Sequence, residues 1–151
     1  MKYYLAYGSN LNIQQMAARC PGARAVGTAT IRDFKLAFRG SGTGAYLTLD
    51  KCPGGEVPVA VWEIDDNHER ALDRYEGYPN FYIKWPFTVD VAPLGTVHAF
   101  AYIMTGDRPI GVPSLEYVNV CARGFLTFRL DMEVLQTAVH EAMAAAADAK
   151  V

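Results

Sequence analysis

Residues 57–64 read VPVAVWEI and residues 97–104 read VHAFAYIM. Both runs are apolar at nearly every position, whereas a strand in an open antiparallel sheet alternates apolar and polar residues. A strand apolar on both sides needs cover on both, from helices or from a sheet that closes on itself. Further strand-like runs lie at 2–6, near 24–38, at 45–50 and at 82–91, with Gly/Pro turns and few helices between them. This succession predicts an α+β fold: a small β-barrel-like domain with a few flanking helices.

The helical signals fill the gaps. NIQQMAAR (12–19) suits a short helix closed by CPG. Asp66 with Glu69 three residues on has capping-box spacing, opening a helix through Leu72 and Tyr75 that Gly77 is placed to end. Leu115, Val118, Ala122 and Phe125 recur at helical spacing after Pro113-Ser114. Met132, Leu135, Val139 and Met143 do so after Asp131. Both stripes read as core-facing surfaces.

Composition narrows the function. A chain of 151 residues favours one domain over 1–151 with a core of its own. Its 51% hydrophobic and 20% charged residues are those of an ordinary globular protein. A net charge of -2 gives no electrostatic case for nucleic acid or a membrane surface. No apolar run approaches the roughly 18 residues of a membrane span. MKYYLAY is too short and too aromatic for a secretory signal, so the expected location is the cytosol. Cys20, Cys52 and Cys121 are far apart and form no CxxC pair or zinc-spaced Cys/His cluster. They read as free thiols in a reducing compartment, with no metal or cofactor expected. His68, His98 and His140 are equally scattered. Nothing in the sequence bears on the oligomeric state.

Glu76 is the anomalous residue. If Gly77 ends its helix, Glu76 sits in the last turn, where the macrodipole disfavours a carboxylate by about 0.3–1 kcal/mol. Tyr75, Tyr78, Pro79, Phe81 and Tyr82 surround it in sequence. An apolar setting and a helix C-terminus both raise a Glu pKa above its usual value of about 4.3, which suits a proton shuttle near neutral pH. A surface carboxylate paired with Arg74 or a distant Lys fits the same pattern. The strand-like YYLAY (3–7) leads into Gly8, Ser9 and Asn10. Successive N–H groups before a helix start can form an anion-binding nest. A plain turn with Asn10 as the helix cap accounts for them as well.

Taken in order, YGSNL (7–11), LDRYEGYP (72–79) and PSLEY (113–117) resemble the gamma-glutamylcyclotransferase-like family. DFKLAF (33–38), VAVWEI (59–64), Tyr82 and YIMTG (102–106) fall at the matching intervals. The resemblance spans Tyr4 to about Phe125 and implies a mixed barrel whose mouth holds a small gamma-glutamyl substrate. It implies Glu76 as the catalytic acid/base and the N–H groups of Gly8, Ser9, Asn10 and Leu11 as the glutamyl-binding donors. It places Tyr82 and Tyr117 near the bound group, and Tyr7 at the head of the loop. The implied reaction releases 5-oxoproline and a free amine. A non-catalytic module binding a small acidic metabolite or a protein on the same fold is the competing reading, and a thiol enzyme using Cys20 or Cys121 a third. The segments 39–44 and 106–113 are expected to be mobile rim loops, with Arg39 and Arg108 available to the leaving group.

Overall fold

The computed structural model describes residues 1–41 and 44–149. Five strands, β1 (Lys2–Ala6), β2 (Arg24–Ser41), β3 (Gly44–Ile64), β4 (Tyr82–Val91) and β5 (Gly95–Met104), form one sheet in the order β2-β3-β1-β5-β4. The central β1 runs antiparallel to β3, from Lys2 opposite Ile64 to Ala6 opposite Ala60. It lies parallel to β5, with Tyr4 opposite Phe100. Antiparallel hairpins β2–β3 and β4–β5 flank it, so the sheet is mixed, as the resemblance implies.

The sheet is not closed, and here the barrel expectation is corrected. Among the described residues no ladder joins the edge strands β2 and β4. They meet through side chains instead. Phe34 and Phe87 stack edge to face with ring centroids 5.4 Å apart. At Gly27 a β-carbon would lie 2.8 Å from Val91 Cγ1. The curl follows from two register slips between β2 and β3, at Ala25/Gly27 and at Arg32/Phe34, since bulges bend a strand and increase its twist. Cover for VPVAVWEI therefore comes from curvature and from helices. Val57, Val59, Ala60, Val61 and Ile64 are fully buried. VHAFAYIM is buried only over its second half, at Ala101, Tyr102 and Met104. In the first half His98 is exposed beside Thr88.

The runs 45–50 and 57–64 are one strand, not two. Residues 52–55 bow out opposite Asp33, whose φ is 67° and whose Oδ1 accepts the Gly54 N–H at 3.0 Å.

Four helices complete the fold: α1 (Ile13–Arg19), α2 (Asp66–Glu76), α3 (Leu115–Thr127) and α4 (Met132–Ala149). Their caps shift from two of the expected positions. Asn12, not Asn10, caps α1 by accepting the Gln15 N–H at 3.1 Å. The α2 capping box is Asp65 with His68, one residue earlier than expected. Glu69 is unavailable to it because its carboxylate binds Lys2 and Lys84 at 2.6 and 2.7 Å. Cys121, Gly124 and Phe125 face the core from α3, and Leu135, Ala138 and Ala142 from α4. Leu115 and Met143, expected inside, are 77% and 56% exposed. Leu115 opens its helix beyond the packed part, and the buried stripe of α4 runs one step round the axis from Met143.

Candidate active site

A cavity of about 430 Å³ opens where β1 ends, between a turn of residues 8–11 and the last turn of α2. Glu76, the final residue of α2, lines it. Local chain chemistry fixes this position. Gly77 adopts the left-handed conformation at φ 67°, its N–H bonding Arg74 O at 3.3 Å while the Tyr78 N–H bonds Asp73 O at 2.9 Å. That pair of bonds is a Schellman motif. A polar seam seats the helix: Glu69 binds Lys2 of β1 and Lys84 of β4. Asp73 receives Lys84 and, at 2.6 Å, the Tyr102 hydroxyl of β5.

Burial pushes the Glu76 carboxyl up to about 7, against a smaller downward pull from Arg19. Removing a carboxylate from water costs more here than one partly screened cation returns. Among the described residues no hydrogen bond or ion pair holds the Glu76 carboxylate. Arg74, the partner offered by the surface reading, lines the same cavity without bonding it.

The opposite wall is the 3-10 turn Ser9–Leu11. The first N–H groups of a helical turn have no partner within it, and those of Gly8, Ser9 and Asn10 find none among the described residues. The Leu11 N–H differs, since it bonds Gly8 O at 3.0 Å. Leu11 itself is fully buried, does not line the cavity and packs on Gly124 of α3. The donor set of the turn is therefore three residues rather than four. Asn10 anchors it: its Nδ2 donates to Tyr4 Oη at 2.9 Å, and its carbonyl accepts Trp62 Nε1–H at 3.2 Å.

Tyrosines build the remaining wall. Tyr7, Tyr82 and Tyr117 all line the cavity, as do Tyr4, Tyr46 and Tyr102. The Tyr82 hydroxyl donates to Leu47 O at 2.9 Å, and the Tyr117 hydroxyl accepts the Leu47 N–H at 3.1 Å. Tyr7 donates to Tyr102 O at 2.5 Å. Burial holds the Tyr7, Tyr82 and Tyr117 pKa values well above the usual value, so all three stay neutral. They shape the pocket through rings fixed by backbone bonds.

Glu76, Gly8, Ser9, Asn10, Tyr7, Tyr82 and Tyr117 thus converge on one cavity. The rim arginines do not join them. Arg39 is paired with Asp50 at 2.7 Å and bonds Arg108 O, while Arg108 lies 4.2 Å over the Phe81 ring. The 106–113 segment is docked as well: Gly40 N–H bonds Pro109 O and Gly111 N–H bonds Phe38 O, each at 3.1 Å. Of the expected loop 39–44, residues 42 and 43 lie outside the described residues. Cys20 and Cys121 are buried, their pKa values pushed up to about 11 and 12, so both are neutral thiols rather than nucleophiles. The sequence reading missed Arg19, whose guanidinium bonds Ser9 and Asn10. Its only advance signal was a basic residue in the last turn of α1, which the macrodipole explains unaided.

A family model described as gamma-glutamyl cyclotransferase, AIG2-like matches residues 4–119. The chain is 32% identical over 129 residues to the gamma-glutamylcyclotransferase of Bos taurus, covering 80% of this chain and 68% of that one. It is 30% identical to the Homo sapiens protein of the same name over the same shares. A solved gamma-glutamyl cyclotransferase structure superposes with a TM-score of 0.80 at 28% identity, covering 91% of this chain and 85% of the other.

Proposed function

Since the chain belongs to the gamma-glutamyl cyclotransferase, AIG2-like family, we propose that it cleaves a small gamma-glutamyl amide into 5-oxoproline and a free amine, with Glu76 as general acid/base. Such a substrate brings its own nucleophile. Its α-amino nitrogen attacks its own γ-carbonyl carbon, an N–C bond closes the five-membered lactam, and the bond to the leaving nitrogen breaks. No water is consumed. The protein's first task is to hold the bent conformer, where intramolecular attack carries a large effective molarity. The tyrosine-walled cavity suits that task.

The second task is proton traffic. The Glu76 carboxylate takes a proton from the attacking amine as the ring closes and passes it to the departing nitrogen. A pKa near the working pH serves both halves of that exchange, and such shuttling contributes typically 10²–10⁴-fold. The N–H groups of Gly8, Ser9 and Asn10 supply donors for the α-carboxylate or the developing oxyanion of the glutamyl group. The reading rests above all on one observation: a carboxyl group raised to about 7 shares a cavity with a turn of backbone donors. We also place the enzyme in a reducing compartment, as its three free cysteines suggest.

A panel of gamma-glutamyl amines and dipeptides, followed by mass spectrometry for 5-oxoproline, tests the reaction. At least one member is turned over, and Glu76→Gln lowers that kcat by about 10² or more with an unchanged circular dichroism spectrum. A folded Glu76→Gln protein with native turnover sinks the assignment of Glu76. A panel without 5-oxoproline sinks the reaction.

A further inference from the structure

We propose that Arg19 is a positioning residue, holding the Gly8–Asn10 donor turn and the Glu76 end of α2 in one fixed relation. The proposal rests on the reading of Glu76 as the proton shuttle, and its geometry comes from four contacts. Arg19 Nη1 donates to Asn10 Oδ1 and, at 3.4 Å, to Ser9 Oγ. Its Nη2 donates to Gln15 Oε1 within α1. The guanidinium carbon lies 3.6 Å from the centroid of the Tyr75 ring. Tyr75 immediately precedes Glu76, and its hydroxyl lies 3.5 Å from Ser9 Oγ. One side chain therefore touches the turn, its own helix and the residue adjoining the carboxylate.

Only an arginine fits all four contacts together. Its planar fork donates in two directions while its face stacks on an aromatic ring. A lysine keeps the charge, yet its three donors sit on one nitrogen and it has no planar face to stack on the ring. Arg19 also bears on Glu76 through space. Tyr4 and Tyr7 face Glu76 from the β1 side, Tyr82 from β4 and Tyr102 from β5, all as neutral hydroxyls held far from ionisation by burial. Tyr75 and Arg74 flank it on its own helix, Arg74 lining the same cavity, and Tyr117 closes the cavity from α3. Arg19 is the cation that draws the carboxyl downward. Position and charge are thus separable by substitution.

The test compares the native protein with Arg19→Lys and Arg19→Gln. Side-chain carboxyl ¹³C NMR follows the Glu76 titration, its signal being the one lost in Glu76→Gln. Steady-state kinetics on the best-cleaved gamma-glutamyl amide give KM and kcat. Arg19→Gln should raise the Glu76 midpoint by about one unit. Arg19→Lys should leave the midpoint in place and raise KM about tenfold. A folded Arg19→Gln protein with the native midpoint overturns the electrostatic half, and native KM in Arg19→Lys overturns the positioning half. If Arg19→Gln does not fold, Arg19→Lys carries both measurements, and a shifted midpoint there overturns the charge argument. If the native protein cleaves nothing, the proposed reaction fails while the titrations still decide whether Arg19 acts on Glu76.

Discussion

Glu76 is a residue the fold would be more stable without. Its pKa rises from 4.5 to about 7 on folding because burial opposes the charged form. The native state therefore holds that proton more tightly than the unfolded chain does. Its contribution to stability is fully present below the unfolded value and is lost as pH rises through about 7. The full shift corresponds to about 3 kcal/mol. Glu76→Gln, which cannot ionise, should then unfold at higher urea at pH 8 than the native protein, with most of that gain gone at pH 5. An equal gain at both values means that burial is not what moves the carboxyl. Activity runs the other way. The base form is the carboxylate, so kcat/KM should climb between pH 6 and pH 8 with a midpoint near 7. A flat profile across that range rules out Glu76 as the base. Opposed signs of this kind are what the proposed role of Glu76 predicts, and the same tension makes the residue conspicuous in the sequence.

At the scale of elements, α2 was legible where its chemistry is local and illegible where it is tertiary. Its end follows from Gly77 alone, because only a residue free of a β-carbon enters the left-handed region cheaply. Its start lies one residue before the position that local spacing predicts. Glu69 looks like a capping partner in sequence, whereas Lys2 and Lys84 from two strands claim it in the fold. Arg19 is inconspicuous in the sequence for the same reason: nothing local shows that Asn10 and Tyr75 meet around it. Likewise, 45–50 and 57–64 read as separate runs, yet β3 is continuous through both because the excess residues bulge out opposite Asp33. The Schellman end of α2 yields a prediction. Gly77→Ala puts a β-carbon 3.2 Å from Phe81 Cβ at a φ of 67° and should cost about 1–2 kcal/mol. For a chain of this size that lowers Tm by a few degrees, and kcat should fall with it as Glu76 shifts. Gly77→Asn, a residue that tolerates the left-handed region, should recover part of both. Equal losses in the Ala and Asn variants would show that the turn conformation is not what places the carboxylate.

Across the whole molecule, the site exists because distant parts of the chain meet at the end of β1. Apolar runs and turn signals are enough to show a small α+β domain with covered strands; its mixed strand directions follow only from the resemblance. The runs and signals could not show whether the sheet's edges pair, since closure depends on how far β2 bends at its bulges, and the edges meet by Phe34 against Phe87 instead. Nor could they show that α3, more than a hundred residues further on, clamps the donor turn. A β-carbon on Gly124 would lie 2.3 Å from Leu11 Cβ, 2.6 Å from Leu11 C and 2.9 Å from Asn12 N. Two of those three atoms are main chain, so no rotamer change relieves the contact and either α3 or the turn must shift. Gly124→Ala should therefore destabilise the protein by about 1–3 kcal/mol. Because the moving part includes the donors proposed to face the substrate, KM should rise more than kcat falls, as thermal melts and Michaelis kinetics on one gamma-glutamyl amide would show. Trimming the facing side chain offers no relief, since alanine at position 11 keeps the β-carbon. Leu11→Ala combined with Gly124→Ala should thus be at least as unstable as Gly124→Ala alone. A double variant restored toward native stability and KM would mean that the interface yields through side chains, and that α3 does not set where the turn's N–H groups point.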